Sequence, residues 1–286
     1  MANIKKLAWN EFVYGGHLLS LGAVSIVFTS ALLLGIKITW DCLLAVYLGM
    51  HSAYLYNRYK EFHKDYLTNP ERTKHLKKIV NKLPFIITSF LILLILILVF
   101  YSEPTVLFFG LFLLAASLSY SYSKGLKNLT RKIPGFKSVF VSLMWASLPA
   151  FLVLYYSAST NIALLLMMSF VFLRLLINTI AFDIKDIDSD KEEGLLTLAI
   201  ILDKKNITRL LIFLDFLSIV PIVAGILLNY FPFYSLVLII FTSSYALFSL
   251  STIRNKKISH NLSYNVIIDA ELFLWSSFVL LGKFLI

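Results

Sequence analysis

Asp183, Asp186 and Asp190 stand three and four residues apart. On a helix that spacing puts them on one face, over about 10 Å of its length, while Asp188 points elsewhere. Between positions 183 and 193 six acids meet only Lys185 and Lys191. Like charges this close repel and raise one another's pKa, so the stretch calls for a bound positive charge. A second stripe, Asn57, Glu61 and Asp65, has spacings of four and four. Both stripes offer oxygen donors, with no histidine or cysteine among them. Such sets suit Mg2+ better than zinc or copper, and Mg2+ usually completes its shell with water and substrate phosphates. Two such helices flanking one cavity would clamp a diphosphate between magnesium ions. The plainer alternative is that both stripes are solvated helix ends.

The elements that carry them are membrane helices. Of 286 residues 59% are hydrophobic and only 15% charged, against about 25% charged in an ordinary soluble domain. Apolar runs long enough to span a bilayer fall at about 17–36, 39–57, 84–101, 104–122, 138–157, 161–182, 208–228, 232–253 and 264–284. Their continuous Leu, Ile, Phe and Val content lacks the alternation of a barrel strand. The expected fold is therefore all-α and polytopic, with nine transmembrane helices in a single domain over 1–286. The first acidic stripe ends the second span and the other ends the sixth.

Lys and Arg set the orientation. The N-terminus and the loops near 58–82, 123–137, 183–209 and 254–262 hold 23 of the 26 basic residues. That side is expected to be cytoplasmic, with both acidic stripes on it and the C-terminus outside. The net charge of +10 then reflects topology and attraction to anionic lipid heads. No soluble module is present to bind nucleic acid. Cys42 is the only cysteine, which excludes an internal disulfide and a cysteine-rich metal site. The first span lacks a small-residue cleavage site and reads as a retained anchor.

These motifs resemble the UbiA superfamily of intramembrane prenyltransferases. "NRYKEFHKD" (57–65) is similar to the family's NxxxDxxxD motif, and Asp183, Asp186 and Asp190 match its DxxDxxxD motif. "GLLTLAI" (194–200) and "TNPER" (68–72) follow the two motifs as they do in the family. Tyr120 and Lys124 fit its YxxxK pattern. One departure is Glu61, which stands where the family usually has Asp. The resemblance implies nine helices around a central cavity open near the cytoplasmic face. It implies Mg2+ held by Glu61, Asp65, Asp183, Asp186 and Asp190, a prenyl diphosphate donor, and a lipophilic acceptor such as a quinone precursor.

Cations and hydroxyls at the leaving oxygen would stabilise the charge that grows as the carbon–oxygen bond breaks. Lys124, Arg72 and Lys127 are the candidates, with Asn57 beside them and Tyr120 next to the diphosphate. Arg174 lies within a span, where an arginine is a functional candidate by default. It would meet the diphosphate or an acceptor, orient Asp183, or pair with Asp215. Other acceptor classes within the resemblance are a glyceryl-phosphate lipid, or none if the cation cyclises. A transporter and a membrane scaffold without chemistry are the readings outside it.

Overall fold

The computed structural model describes residues 2–62, 70–122, 124–159, 162–254 and 262–286, and among them there are helices and no strands. Before the first span the chain forms α1 (Ala2–Tyr14). Then come α2 (His17–Leu34), α3 (Trp40–Lys60), α4 (Pro70–Leu76), α5 (Leu83–Tyr101), α6 (Pro104–Tyr122), α7 (Lys124–Lys132), α8 (Phe136–Ala146) and α9 (Leu148–Tyr155). The second half holds α10 (Ile162–Lys185), α11 (Ile187–Glu192), α12 (Leu198–Ile201), α13 (Lys204–Leu227), α14 (Leu236–Arg254) and α15 (Leu262–Leu285). Each of the expected apolar stretches is helical. The fifth is interrupted at Ser147, where Pro149 in the first turn of α9 cannot donate to the preceding helix.

Among the described residues six segments are long and apolar enough to cross a membrane: 17–34, 80–101, 136–155, 162–185, 204–227 and 233–252. The apolar part of α6 is shorter, Pro104–Tyr120. Helices α3 and α15 are diluted by polar residues: His51, Asn57 and Arg58 on one, Asp269 and Glu271 on the other. Phe85, Phe100, Phe108 and Phe284 stand out on the outer surface, more than 70% exposed, as a lipid-facing surface requires.

α2 packs against α15 and α3, and α10 against α8 and α13. One ion-pair cluster locks the second half of the bundle. Arg174 on α10 is 1% exposed. Its Nη1 donates to Asp215 Oδ1 on α13 at 2.5 Å, its Nε to Glu271 Oε1 on α15 at 2.9 Å, and its Nη2 to the Thr242 carbonyl on α14 at 2.9 Å. In lipid each of these groups would otherwise be left unsatisfied. This corrects Arg174 as a diphosphate ligand: its donors are engaged inside the helix bundle, and Asp215 is its counter-ion.

A smaller clasp holds the chain that follows the first acidic stripe. Tyr14 at the end of α1 donates to Glu71 on α4, and Glu11 meets His75 Nε2 at 2.8 Å. Burial and the Glu71 carboxylate hold the Tyr14 hydroxyl well above its ordinary pKa, so it stays a donor. The clasp fixes α4, which carries Arg72.

Breaking one partner of a buried ion pair costs about 3–5 kcal/mol. Arg174→Met should therefore lower thermal stability in detergent by several degrees. Any protein that stays folded should bind prenyl diphosphate as wild type does. Unchanged stability with lost donor binding would restore Arg174 to the site.

Candidate active site

One cavity of about 480 Å3 runs between α3, α8 and α10. Its course along α3 follows from the sequence. Ala45, Gly49, Ala53, Asn57 and Glu61 recur every fourth residue and all line it, so one face of the helix is exposed to the cavity. At roughly 1.5 Å per residue that face is about 24 Å long. Ala45, Gly49 and Ala53 leave room in its inner part, flanked by Val46, Met50 and Tyr54. Leu94, Leu98, Leu113, Leu148 and Phe151 close the inner end. A methyl group on Gly110 would sit 3.3 Å from Leu98 and 3.5 Å from Phe151, so the bore is already narrow there.

The outer end is charged. Glu61, Asp183, Asp186, Asp190, Glu193 and Asp269 line it together with Arg58, Arg72, Lys137 and Lys185. Acids thus outnumber cations among the described residues. Helix α3 ends at Lys60, yet the Glu61 amide still donates to the Asn57 carbonyl at 2.9 Å, so Glu61 keeps its place one turn after Asn57. α10 stops at Lys185, and Asp186 stands at the N-cap position of α11 without a side-chain capping bond. The Asp190 amide donates to the Asp186 carbonyl at 2.8 Å across this break, and all three aspartates of the stripe face the cavity. Asp188 does not line it.

Lys137 is the group that sequence reading missed. Its Nζ lies 2.8 Å from Asp183 Oδ1 and 3.4 Å from Asp190 Oδ2. The other Asp183 oxygen accepts from Ser138 Oγ at 2.7 Å. Burial pushes the Asp190 carboxyl above its ordinary pKa; Lys137 pulls it back, while Asp183 and Asp186 push it up again. The turn before α8 aims Lys137. Gly135 adopts a left-handed φ of 69°, which glycine takes without strain. Its amide donates to the Leu196 carbonyl at 2.8 Å, and the Leu196 amide donates to the Thr130 carbonyl at 2.9 Å. The "GLLTL" segment is thereby strapped to the start of α8. The signal in sequence was "PGFK" (134–137): a turn, then a cation in the first turn of an apolar helix. Positive-inside counting absorbed it as a loop charge.

Arg72 and Tyr120 also line the cavity, with the Tyr120 ring stacked on Phe140 at 5.3 Å between centroids. Asp65 and the side chains of Lys124 and Lys127 lie outside the described residues. The donor set fits magnesium: oxygens only, on two helices around one space, with a lysine ammonium already between two of the carboxylates. Among the described residues no three His, Cys, Asp or Glu side chains gather at one point to hold an ion.

A bore with an oily inner end and a charged mouth suits an amphiphile with an anionic head. The model of the UbiA prenyltransferase family matches residues 18–277, and the chain belongs to that family. Solved structures share the fold at low identity. A digeranylgeranylglyceryl phosphate synthase aligns at 15% identity and a TM-score of 0.61, covering 98% of each chain. A UbiA homologue from Aeropyrum pernix K1 in its apo form aligns at 15% and 0.66, covering 89% of this chain and 97% of that one. A homologue from Archaeoglobus fulgidus bound to DMAPP and Mg2+ aligns at 15% and 0.63, covering 94% and 98%. Comparison with curated proteins gave no significant sequence match.

Removing the Lys137 charge frees two carboxylates that repel each other. Lys137→Met should tighten Mn2+ binding without donor by about tenfold, equivalent to about 1.4 kcal/mol, read by titration with electron paramagnetic resonance. Unchanged or weaker Mn2+ binding would show that Lys137 does not occupy a cation position.

Proposed function

We propose that this chain transfers a prenyl group, with Mg2+, from a prenyl diphosphate to a lipophilic aromatic acceptor of the quinone-precursor kind within the membrane. The observation that carries this is the union, in one cavity, of a carboxylate-and-cation mouth and a narrow apolar bore. The likeness to the Archaeoglobus fulgidus homologue seen with DMAPP and Mg2+, and with GPP and Mg2+, supports it. In this reading Glu61, Asp65, Asp183, Asp186 and Asp190 hold the metal. Asn57, Arg72, Lys124 and Lys127 contact the diphosphate beside Tyr120. Lys137 leaves the aspartates for the diphosphate when the donor binds.

Bound magnesium supplies Lewis-acid neutralisation of the diphosphate. Arg72 and Lys137 stand where charge grows on the leaving oxygen, and preorganised cations lower the barrier there. The Leu and Phe walls of the inner bore seat the isoprenoid tail and keep water from the allylic cation, which water would quench. Tyr120 and Phe140, stacked on each other, add aromatic surface to the cavity wall.

In the same reading residues 1–286 form one domain that crosses the membrane nine times, with α3, α6 and α15 added to the six apolar segments. The N-terminus and the long polar loops are cytoplasmic and the C-terminus is outside. A transport function is disfavoured because the membrane-embedded charges Arg174, Asp215 and Glu271 are tied to one another and line no path.

Asp183→Asn combined with Asp186→Asn should cut Mg2+-dependent diphosphate release by at least about a thousandfold, more than 4 kcal/mol of barrier. Asp183 is buried and paired with Lys137, so its loss also lowers thermal stability, and release is read on protein that stays folded. A panel of prenyl diphosphates and aromatic acceptors, with lipid extracts read by mass spectrometry, gives the product. Retained release in the double variant would overturn the proposal. A reporter fused after Ile286 should be active only outside the cytoplasm; cytoplasmic activity would overturn the nine-crossing topology.

A further inference from the structure

Asp269 on α15 is a charged cavity residue that neither acidic stripe includes. It lines the cavity, and its Oδ1 is buried with no hydrogen-bond partner. The register of α15 sets its direction. Asn178 Nδ2 on α10 donates to the Ile268 carbonyl at 3.1 Å, and the Tyr245 hydroxyl donates to the Ile267 carbonyl at 2.6 Å. Those bonds pin α15 to α10 and α14 and leave the next residue, Asp269, facing the cavity. Asn178 lies five residues inward of Asp183, roughly 7.5 Å along α10. Asp269 therefore stands on the α15 wall of the cavity near the level of Asn178, at the charged end that it shares with Arg58, Arg72 and Lys185.

The other carboxylates on α10 and α11 are differently occupied. Asp183 spends one oxygen on Ser138 and the other on Lys137, and Asp190 meets Lys137. A desolvated carboxylate oxygen without a donor is costly unless a ligand supplies one. A ligand O–H or N–H group reaching α15 would satisfy it. Arg58, Arg72 and Lys185 line the same cavity and bring positive charge near this carboxylate.

We infer that Asp269 receives the phenolic hydroxyl of the acceptor and takes its proton, which makes it a catalytic residue on the acceptor side of the cavity. This rests on the aromatic-acceptor reading above. The donor's C1–O bond breaks and its electron pair leaves on the diphosphate. The O–H proton passes to Asp269 Oδ1, and the electron density it leaves moves through the ring to an ortho carbon, which forms the new bond to C1. The resulting dienone rearomatises by moving its ring proton to oxygen. One proton, held at Asp269, and one diphosphate are the net by-products. The acceptor class this selects is a phenol whose hydroxyl reaches α15, its ring lying across the bore from the acidic stripe.

The test uses the full chain reconstituted in liposomes, with Mg2+, geranyl diphosphate and 4-hydroxybenzoate as probes. Asp269→Asn should bind geranyl diphosphate within about twofold of wild type. Its turnover to prenylated phenol should fall at least a hundredfold, and Asp269→Glu should recover at least tenfold of that loss. Asn turnover within threefold of wild type overturns the inference. So does an equal loss of donor binding and product formation, which would make Asp269 a counter-ion for Arg58 and Arg72. Wild-type release of diphosphate without any prenylated phenol overturns this inference alone and leaves the prenyl-diphosphate reading standing. No diphosphate release at all overturns both.

Discussion

The ammonium of Lys137 between Asp183 and Asp190 is the interaction on which the site depends. Carboxylates at the mouth of an oily cavity repel one another, and burial raises the cost of their charge. They stay ionised and together only if a cation sits among them. The chain meets that need with its own lysine, and it positions the lysine through backbone. Gly135 turns left-handed, Leu196 is strapped to Thr130 and Gly135, and α8 begins with Lys137 pointed inward. The segment after the acidic stripe is thus part of the device that balances it. In the proposed reaction this lysine is the counter-charge that passes from the aspartates to a phosphate oxygen as the anionic head and metal ions enter.

The rest of the bundle keeps the two ends of the cavity distinct. Small residues every fourth position on α3 hollow out the bore, and the same four-residue rhythm ends in Asn57 and Glu61. One helix face therefore carries the apolar and the polar lining of the cavity in continuous register. Lower in the bundle, Arg174, Asp215 and Glu271 satisfy each other and join α10, α13, α14 and α15. Polar groups in a membrane are tolerated on those terms, and the cluster braces the helices that present the aspartates.

Much of this was legible in the residues. Helical periodicity placed Asp183, Asp186 and Asp190 on one face, and they share it even across the break at Asp186. Apolar runs located every long helix. Four things were not legible. Arg174 reads alike as a ligand or a brace, because sequence does not say which helices surround it. Lys137 belongs by composition to a cytoplasmic loop and becomes a site residue only through the fold of Gly135 onto Leu196. Asp269 lies in the last span, far along the chain from both motifs, and its meaning comes from an unpartnered oxygen that no spacing rule predicts. The short helix α1 was also unforeseen, since its 13 residues precede the first apolar run and carry its lysines.

The central claim is that the two acidic stripes act on one anionic head through a shared divalent ion. The most direct measurement is electron–nuclear double resonance on Mn2+ bound to the reconstituted protein with a thiolodiphosphate analogue of the donor. The account predicts a 31P hyperfine coupling from Mn2+ to the diphosphate, lost when either Glu61 or Asp186 is replaced by its amide. A Mn2+ ion bound without any phosphorus coupling, or a coupling indifferent to both residues, would contradict it.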